Sequence, residues 1–290
     1  MADQAATLKD MAREGAALSP GSPGAAVVAV TSGKGGVGKT NIASNLAICL
    51  ARGGDRVVLM DADLGLGSVD VLLGVSPAYT MQNMVEDGVP LSDVMLEGPG
   101  GIRILPAGSG ALSVTGLSDE RKGALLTELM KLEEDADILL LDTGAGISEN
   151  VLYFCRAAGE VILVTSPEPT AVTDAYAVIK VLHQTGSRAN IRVLVNNVRR
   201  PKEAQDVFES LRRVSERFLG VALDYCGMVP VDTNVPRSVV QQKAFIQAFP
   251  ASPASRAIED LAMTVVSWNG GEKGVVGIRG FWERIIATRP

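Results

Sequence analysis

Gly33-Lys34-Gly35-Gly36-Val37-Gly38-Lys39-Thr40-Asn41 is the stretch of this 290-residue chain with the clearest chemistry. Gly33, Gly38, Lys39 and Thr40 satisfy G-x-x-x-x-G-K-[ST], and the run lies between an apolar stretch and a helical pattern, as a phosphate-cradling loop requires. The glycines let backbone N–H groups converge on phosphate oxygens, and the following helix N-terminus adds positive potential. Lys39 offsets β- and γ-phosphate charge, and the Thr40 hydroxyl can ligate Mg2+. Carboxylates close two other apolar runs. Asp61-Ala62-Asp63 follows residues 56–60, and Asp142 follows 138–141 and precedes the glycine-bearing Thr143-Gly144-Ala145-Gly146. Open α/β sheets build their sites at the carboxyl ends of parallel strands, and a buried strand fixes Asp142 beside Mg2+.

Such groups need a parallel sheet to hold them. Runs apolar on both faces occur at 27–31, 56–60, 102–105, 138–141, 161–165 and 191–195, with a seventh at 221–228. They alternate with helical periodicity at 40–52, 118–134, 170–185, 201–217 and 255–267. Strands apolar on both faces imply cover on both sides. The pattern therefore predicts an α/β fold, a single nucleotide-binding domain over 26–268 whose doubly wound, mostly parallel sheet has about seven or eight strands. A helical segment at 1–16 is set off by the linker 17–25, which holds two prolines and two glycines, and a sparse zone at 269–274 precedes a last helix at 275–288.

A formal charge of −6 argues against a broad nucleic-acid surface, so no direct nucleic-acid partner is expected. Cys49, Cys155 and Cys226 are far apart and His183 is the only histidine, which leaves little material for a cysteine cluster, a histidine metal site or a Ser-His-Asp triad. No apolar run approaches the ~20 residues of a spanning helix. The first fifteen residues lack the apolar core of a secretory signal, so a cytoplasmic address is expected.

Lys34 gives the loop a second lysine, and Lys-Gly-Gly-x-Gly-Lys-Thr resembles the deviant Walker A motif of the MinD/ParA class of P-loop ATPases. The resemblance implies an Mg2+-dependent ATPase in which Lys34 reaches across an ATP-bound homodimer, so that hydrolysis is gated by assembly. It further implies that Asp63 orients the attacking water and that Asp61 helps Thr40 and Asp142 hold hydrated Mg2+. Asn196-Asn197 ends one strand and Pro230-Val231 the last. Both resemble the base-recognition segments of the class; the Asn196 amide matches the adenine edge, although Asn-Asn is equally at home in a turn.

Residues 40–47, 61–70 and 165–180 together resemble the FlhG/FleN branch, MinD-like regulators of flagellar number and placement. That resemblance covers about 26–268. It implies ATP-state membrane association and action on the SRP-type GTPase FlhF, with flagellar switch-complex proteins or a flagellar transcriptional regulator as further partners. Asp3-Gln4-Ala5-Ala6-Thr7-Leu8-Lys9 is similar to the Asp-Gln-Ala-x-x-Leu-Arg element by which the branch stimulates FlhF. Gln4 would act in the partner's catalytic centre, while Lys9 in place of Arg keeps charge but loses bidentate geometry. A frayed terminal helix without a role is the plainer alternative.

In the tail, Val275, Ile278, Phe281, Trp282, Ile285 and Ile286 fall on one helical stripe, and 272–290 carries +2. Such a segment can lie in an anionic membrane interface or dock on its own domain, with nucleotide choosing between the two. Peripheral attachment to the inner face of the cell membrane follows as the expectation. A MinD-like division-site ATPase and a ParA-like DNA-partitioning ATPase remain the alternatives, the second disfavoured by the acidic charge.

Overall fold

The computed structural model describes residues 25–63, 68–106, 108, 118–269 and 277–287. Asp3, Gln4, Ala5, Leu8 and Lys9, most of the 17–25 linker, the linker residues 270–274 and Val275 lie outside them.

Eight strands form one sheet in the order β3-β4-β2-β5-β1-β6-β7-β8: β1 Ala26–Ser32, β2 Val57–Ala62, β3 Leu96–Glu97, β4 Arg103–Pro106, β5 Ile138–Ala145, β6 Glu160–Thr165, β7 Asn190–Val198 and β8 Asp224–Pro230. All pairs are parallel except the short β3–β4 pair at the edge. Alternate residues feed two cores, as the period of two demands. Val27 and Ala29 pack in one layer with Met60, Leu139 and Leu141, and Val28 and Val30 pack in the other with Ile42, Leu46 and Leu140.

The first layer is covered by α3 Met81–Asp87, α4 Leu91–Val94, α5 Asp119–Met130, α6 Leu132–Asp135, α7 Glu149–Ala157, α8 Pro169–Gln184, α9 Pro201–Leu219 and α13 Ile278–Ala287. The second is covered by α1 Lys39–Arg52, α2 Val69–Leu73, α11 Phe245–Ala248 and α12 Pro253–Asn269; α10 Asn234–Val240 leads into α11. This is the doubly wound sheet the apolar runs predict. Several expectations shift: the strand expected at 138–141 runs on to Ala145, and the last helix begins at Ile278 rather than 275. The helix over 118–134 divides at Lys131, where α5 ends and α6 begins, and the last strand begins at Asp224 rather than 221. No helix among the described residues is long and apolar enough to cross a membrane.

The tail helix α13 is docked. Ile278, Phe281, Trp282 and Ile285 are buried and Ile286 is partly buried against α5, α6, α7 and β1. Phe281 stacks on Phe154 of α7 at 6.4 Å and meets Trp282 edge-on at 4.8 Å. The Arg279 backbone N–H donates to Glu133 at 2.9 Å, and the Arg284 guanidinium donates to the Ala157 carbonyl at 3.3 Å. Of the two placements open to the stripe, this is the one on its own domain. Trp282 Nε1 is buried without a partner, an unmet donor that costs the docked state about 1–3 kcal/mol.

Candidate functional site

The predicted residues of the body converge at the carboxyl end of the sheet. Strand β1 feeds the loop 33–38, which feeds α1. Gly38 has φ 91°, which an L side chain rarely adopts, and a Cβ there would strike the Asn196 amide. Gly33 is required for a different reason: a Cβ would land on the Asp174 carbonyl, so the loop packs directly on the backbone of α8. The loop is thereby wedged between β7 and α8.

Its two lysines have separate partners. Lys39 is buried and its Nζ lies 2.8 Å from Oδ1 of fully buried Asp142 within β5. Lys34 is on the surface, with Nζ 2.8 Å from Glu168 Oε2 and 3.1 Å from Thr170 Oγ1, where α8 begins. Glu168 and Thr170 belong to a stretch the sequence marks only by resemblance, with no role attached. A pairing across 134 residues has no local signature.

Asp61 and Asp142 are register partners on β2 and β5. Burial, together with the neighbouring Asp142 charge, pushes Asp61 up to about 6, although backbone N–H groups of Val69, Asp63 and Ser68 donate to its carboxylate. Asp61 therefore holds the backbone at Asp63 and at Ser68 and Val69. Burial raises Asp142 as well, against the opposing pull of Lys39 and Thr40. Its Oδ2 is buried and without a hydrogen-bond partner.

That orphaned oxygen, the Thr40 hydroxyl and Asp61 form an all-oxygen donor set, the chemistry Mg2+ prefers, so the residues present fit the ion. The Thr40 hydroxyl also lies 3.1 Å from that of Ser68, a residue the sequence reading gave no part. Asp63 stands close to Gly144, with Oδ1 at ordinary contact distance from where a Cβ would be. The Gly146 N–H donates to the Ser32 carbonyl at 2.8 Å, tying the 143–146 segment to β1.

On the other side Asn196 is buried and donates from Nδ2 to the Val37 carbonyl at 2.7 Å. Its amide also carries a carbonyl acceptor and a second N–H donor, the groups a base edge would meet. Asn197 takes the left-handed conformation at φ 58°, so the turn reading describes its neighbour. Pro230 pairs with Val198, and the Val231 N–H donates to the Val198 carbonyl at 3.0 Å, bringing the two proposed base segments side by side. Asn41, in the first turn of α1, has its side-chain oxygen buried and unpartnered.

Comparisons place these features among known proteins. The ParA family model, described as NUBPL iron-transfer P-loop NTPase, matches residues 25–266. Antiactivator FleN of Pseudomonas aeruginosa is 48% identical over 242 residues, 83% of this chain and 86% of that protein. Flagellum site-determining protein YlxH of Helicobacter pylori is 31% identical over 89% of each. Among solved structures, the MinC:MinD cell division protein complex of Aquifex aeolicus aligns with a TM-score of 0.67 at 26% identity, covering 84% of this chain and 96% of that one. An iron-transfer chemistry finds no thiol pair here. Cys49, Cys155 and Cys226 lie on α1, α7 and β8, and burial pushes the last two thiols up to about 12.

Proposed function

The chain belongs to the ParA family of P-loop NTPases, as a MinD-like ATPase of the FleN branch, and from that premise we propose that it is an ATP-driven dimerising switch that sets flagellar number and placement. The carrying observation is the division of labour between its two lysines. Lys39 and Asp142 neutralise each other inside the site. Arriving triphosphate draws the Lys39 ammonium to the β- and γ-oxygens, freeing both Asp142 oxygens for Mg2+, which offsets phosphate charge when bound. Lys34, held on the surface by Glu168 and Thr170, is not needed by its own loop. Its cation is available to a second copy, where it stabilises charge on the transferred phosphoryl as an arginine finger does. Asp63 orients the water, Asn196 with Pro230 and Val231 holds adenine, and the 33–41 backbone cradles the phosphates.

The tail follows the nucleotide. Helix α7 leaves the 143–148 segment at one end, and near its other end Phe154 and Ala157 hold α13. A shift of that segment on ATP binding is transmitted along α7 and releases Ile278, Phe281, Trp282, Ile285 and Ile286, with Val275, to an anionic membrane. One short amphipathic helix attaches weakly, whereas two in a dimer attach by avidity. At the head, Asp3 to Lys9 act on the SRP-type GTPase FlhF, with Gln4 entering its centre. The relative named an antiactivator supports a transcriptional activator as a further partner. Lys34→Ala at the native locus should give the flagellar count of the full deletion, scored by electron microscopy. A wild-type count would reject the switch.

A further inference from the structure

We infer that the pole opposite the nucleotide site carries a second membrane contact, a basic and aromatic patch at the ends of α8 and α9 that recognises anionic lipid headgroups beside the tail; the inference rests on the membrane reading above.

The charge distribution points there first. Between residues 175 and 220 nine Lys and Arg meet four Asp and Glu, a net +5 in a chain whose total is −6. Arg192, Arg200, Lys202 and Arg212 are spent on ion pairs with Glu160, Asp224, Glu203, Asp206, Glu209 and Glu216. Lys180, Arg188, Arg213 and Arg217 are exposed and form no ion pair among the described residues. The acids of this region are thus neutralised while five cations are left over; the fifth, Arg199, follows the carboxyl end of β7 and is not part of the patch.

Position is the second observation. Helices α8 and α9 pack side by side and run back from the site, so Lys180, Arg188, Arg213 and Arg217 fall towards the amino ends of β7 and β8. The tail helix is at that same pole: Gly277 bridges to Ala26 at the start of β1, and Arg284 holds Ala157 just before β6.

The third is Phe218, 66% exposed at the end of α9 with the Arg217 guanidinium 5.3 Å from its ring centroid. An unburied aromatic among arginines suits the headgroup layer, where its apolar face is buried and the cations meet phosphate. A duplex would use the cations and leave the ring in water. Each basic residue near an anionic leaflet strengthens binding about fivefold.

The test is co-sedimentation of the full chain, with ATP and Mg2+, on phosphatidylcholine vesicles with and without phosphatidylglycerol. Arg213→Glu/Arg217→Glu should lose about tenfold or more of the affinity for the anionic vesicles, with ATP turnover in solution unchanged. Phe218→Ser should weaken binding at high salt as well as low, because its share is apolar. Wild-type binding by both variants, while Trp282→Glu abolishes it, would overturn the patch and leave the tail reading standing. Failure of the unaltered chain to bind any vesicle under ATP would overturn both. Retention of a short DNA duplex by the unaltered chain but not by the double variant would make the patch a nucleic-acid surface and overturn the proposal.

Discussion

At the residue scale the proposed switch would turn on Lys34, whose charge is held by Glu168 and Thr170 and would have to be released before a partner could use it. An exposed pair of this kind is worth about 0–1 kcal/mol, a restraint weak enough for dimer contacts to break. Glu168→Ala should therefore lower the protein concentration at which ATP induces dimers by up to about fivefold, read by sedimentation across a dilution series; an unmoved midpoint would mean that the pair does not hold the lysine back. Gly38→Ala should abolish nucleotide binding by calorimetry while leaving the circular dichroism of the fold intact, since it adds a side chain at φ 91° and displaces Asn196 in one step. Full binding by that variant would contradict the placement of Asn196 against the loop. Both lysines are legible in the sequence because the glycine-rich motif around them fixes their places, and the three carboxylates and Asn196 because each sits where an apolar run stops. Glu168, Thr170 and Ser68 are not, because their partners are brought by the fold.

At the element scale the same contrast holds. Doubly apolar runs announce seven of the eight strands, and the long helices show several turns of periodicity. Helices such as α2, α4, α10 and α11 span four to seven residues, too few for a period of 3.6 to repeat convincingly. For the stripe from Ile278 to Ile286, amphipathicity says that one face must be covered but not by what. The fold answers with α5, α6 and α7, and on the proposed reading the stacked Phe154–Phe281 pair would make α7 the element that links the site to the tail. Phe154→Ala removes about 3–5 kcal/mol of packing shared between the core and the tail. It should therefore raise vesicle binding in the ADP state and speed proteolysis within 270–276. Tight nucleotide control of vesicle binding in that variant would remove α7 from the pathway.

At the scale of the whole molecule the sheet separates two poles: the loop and carboxylates proposed to handle phosphate, Mg2+ and a second copy lie where the strands end, and the tail with its basic neighbours lies where they begin. Strand β1 joins the poles, since it delivers the loop at one end and meets Gly277 at the other. On the proposed reading an ATP-formed dimer would commit both tails together, and hydrolysis would withdraw both. The central claim is that Lys34 works in the partner and not in its own site, and sedimentation velocity of the full chain with Mg2+ and either ADP or ATP tests it most directly. The unaltered protein should be monomeric with ADP and dimeric with ATP, Asp63→Ala should remain dimeric with ATP because the water is no longer positioned, and Lys34→Ala should stay monomeric in both while still binding ATP. A Lys34→Ala protein that dimerises with ATP as the unaltered chain does would contradict the account.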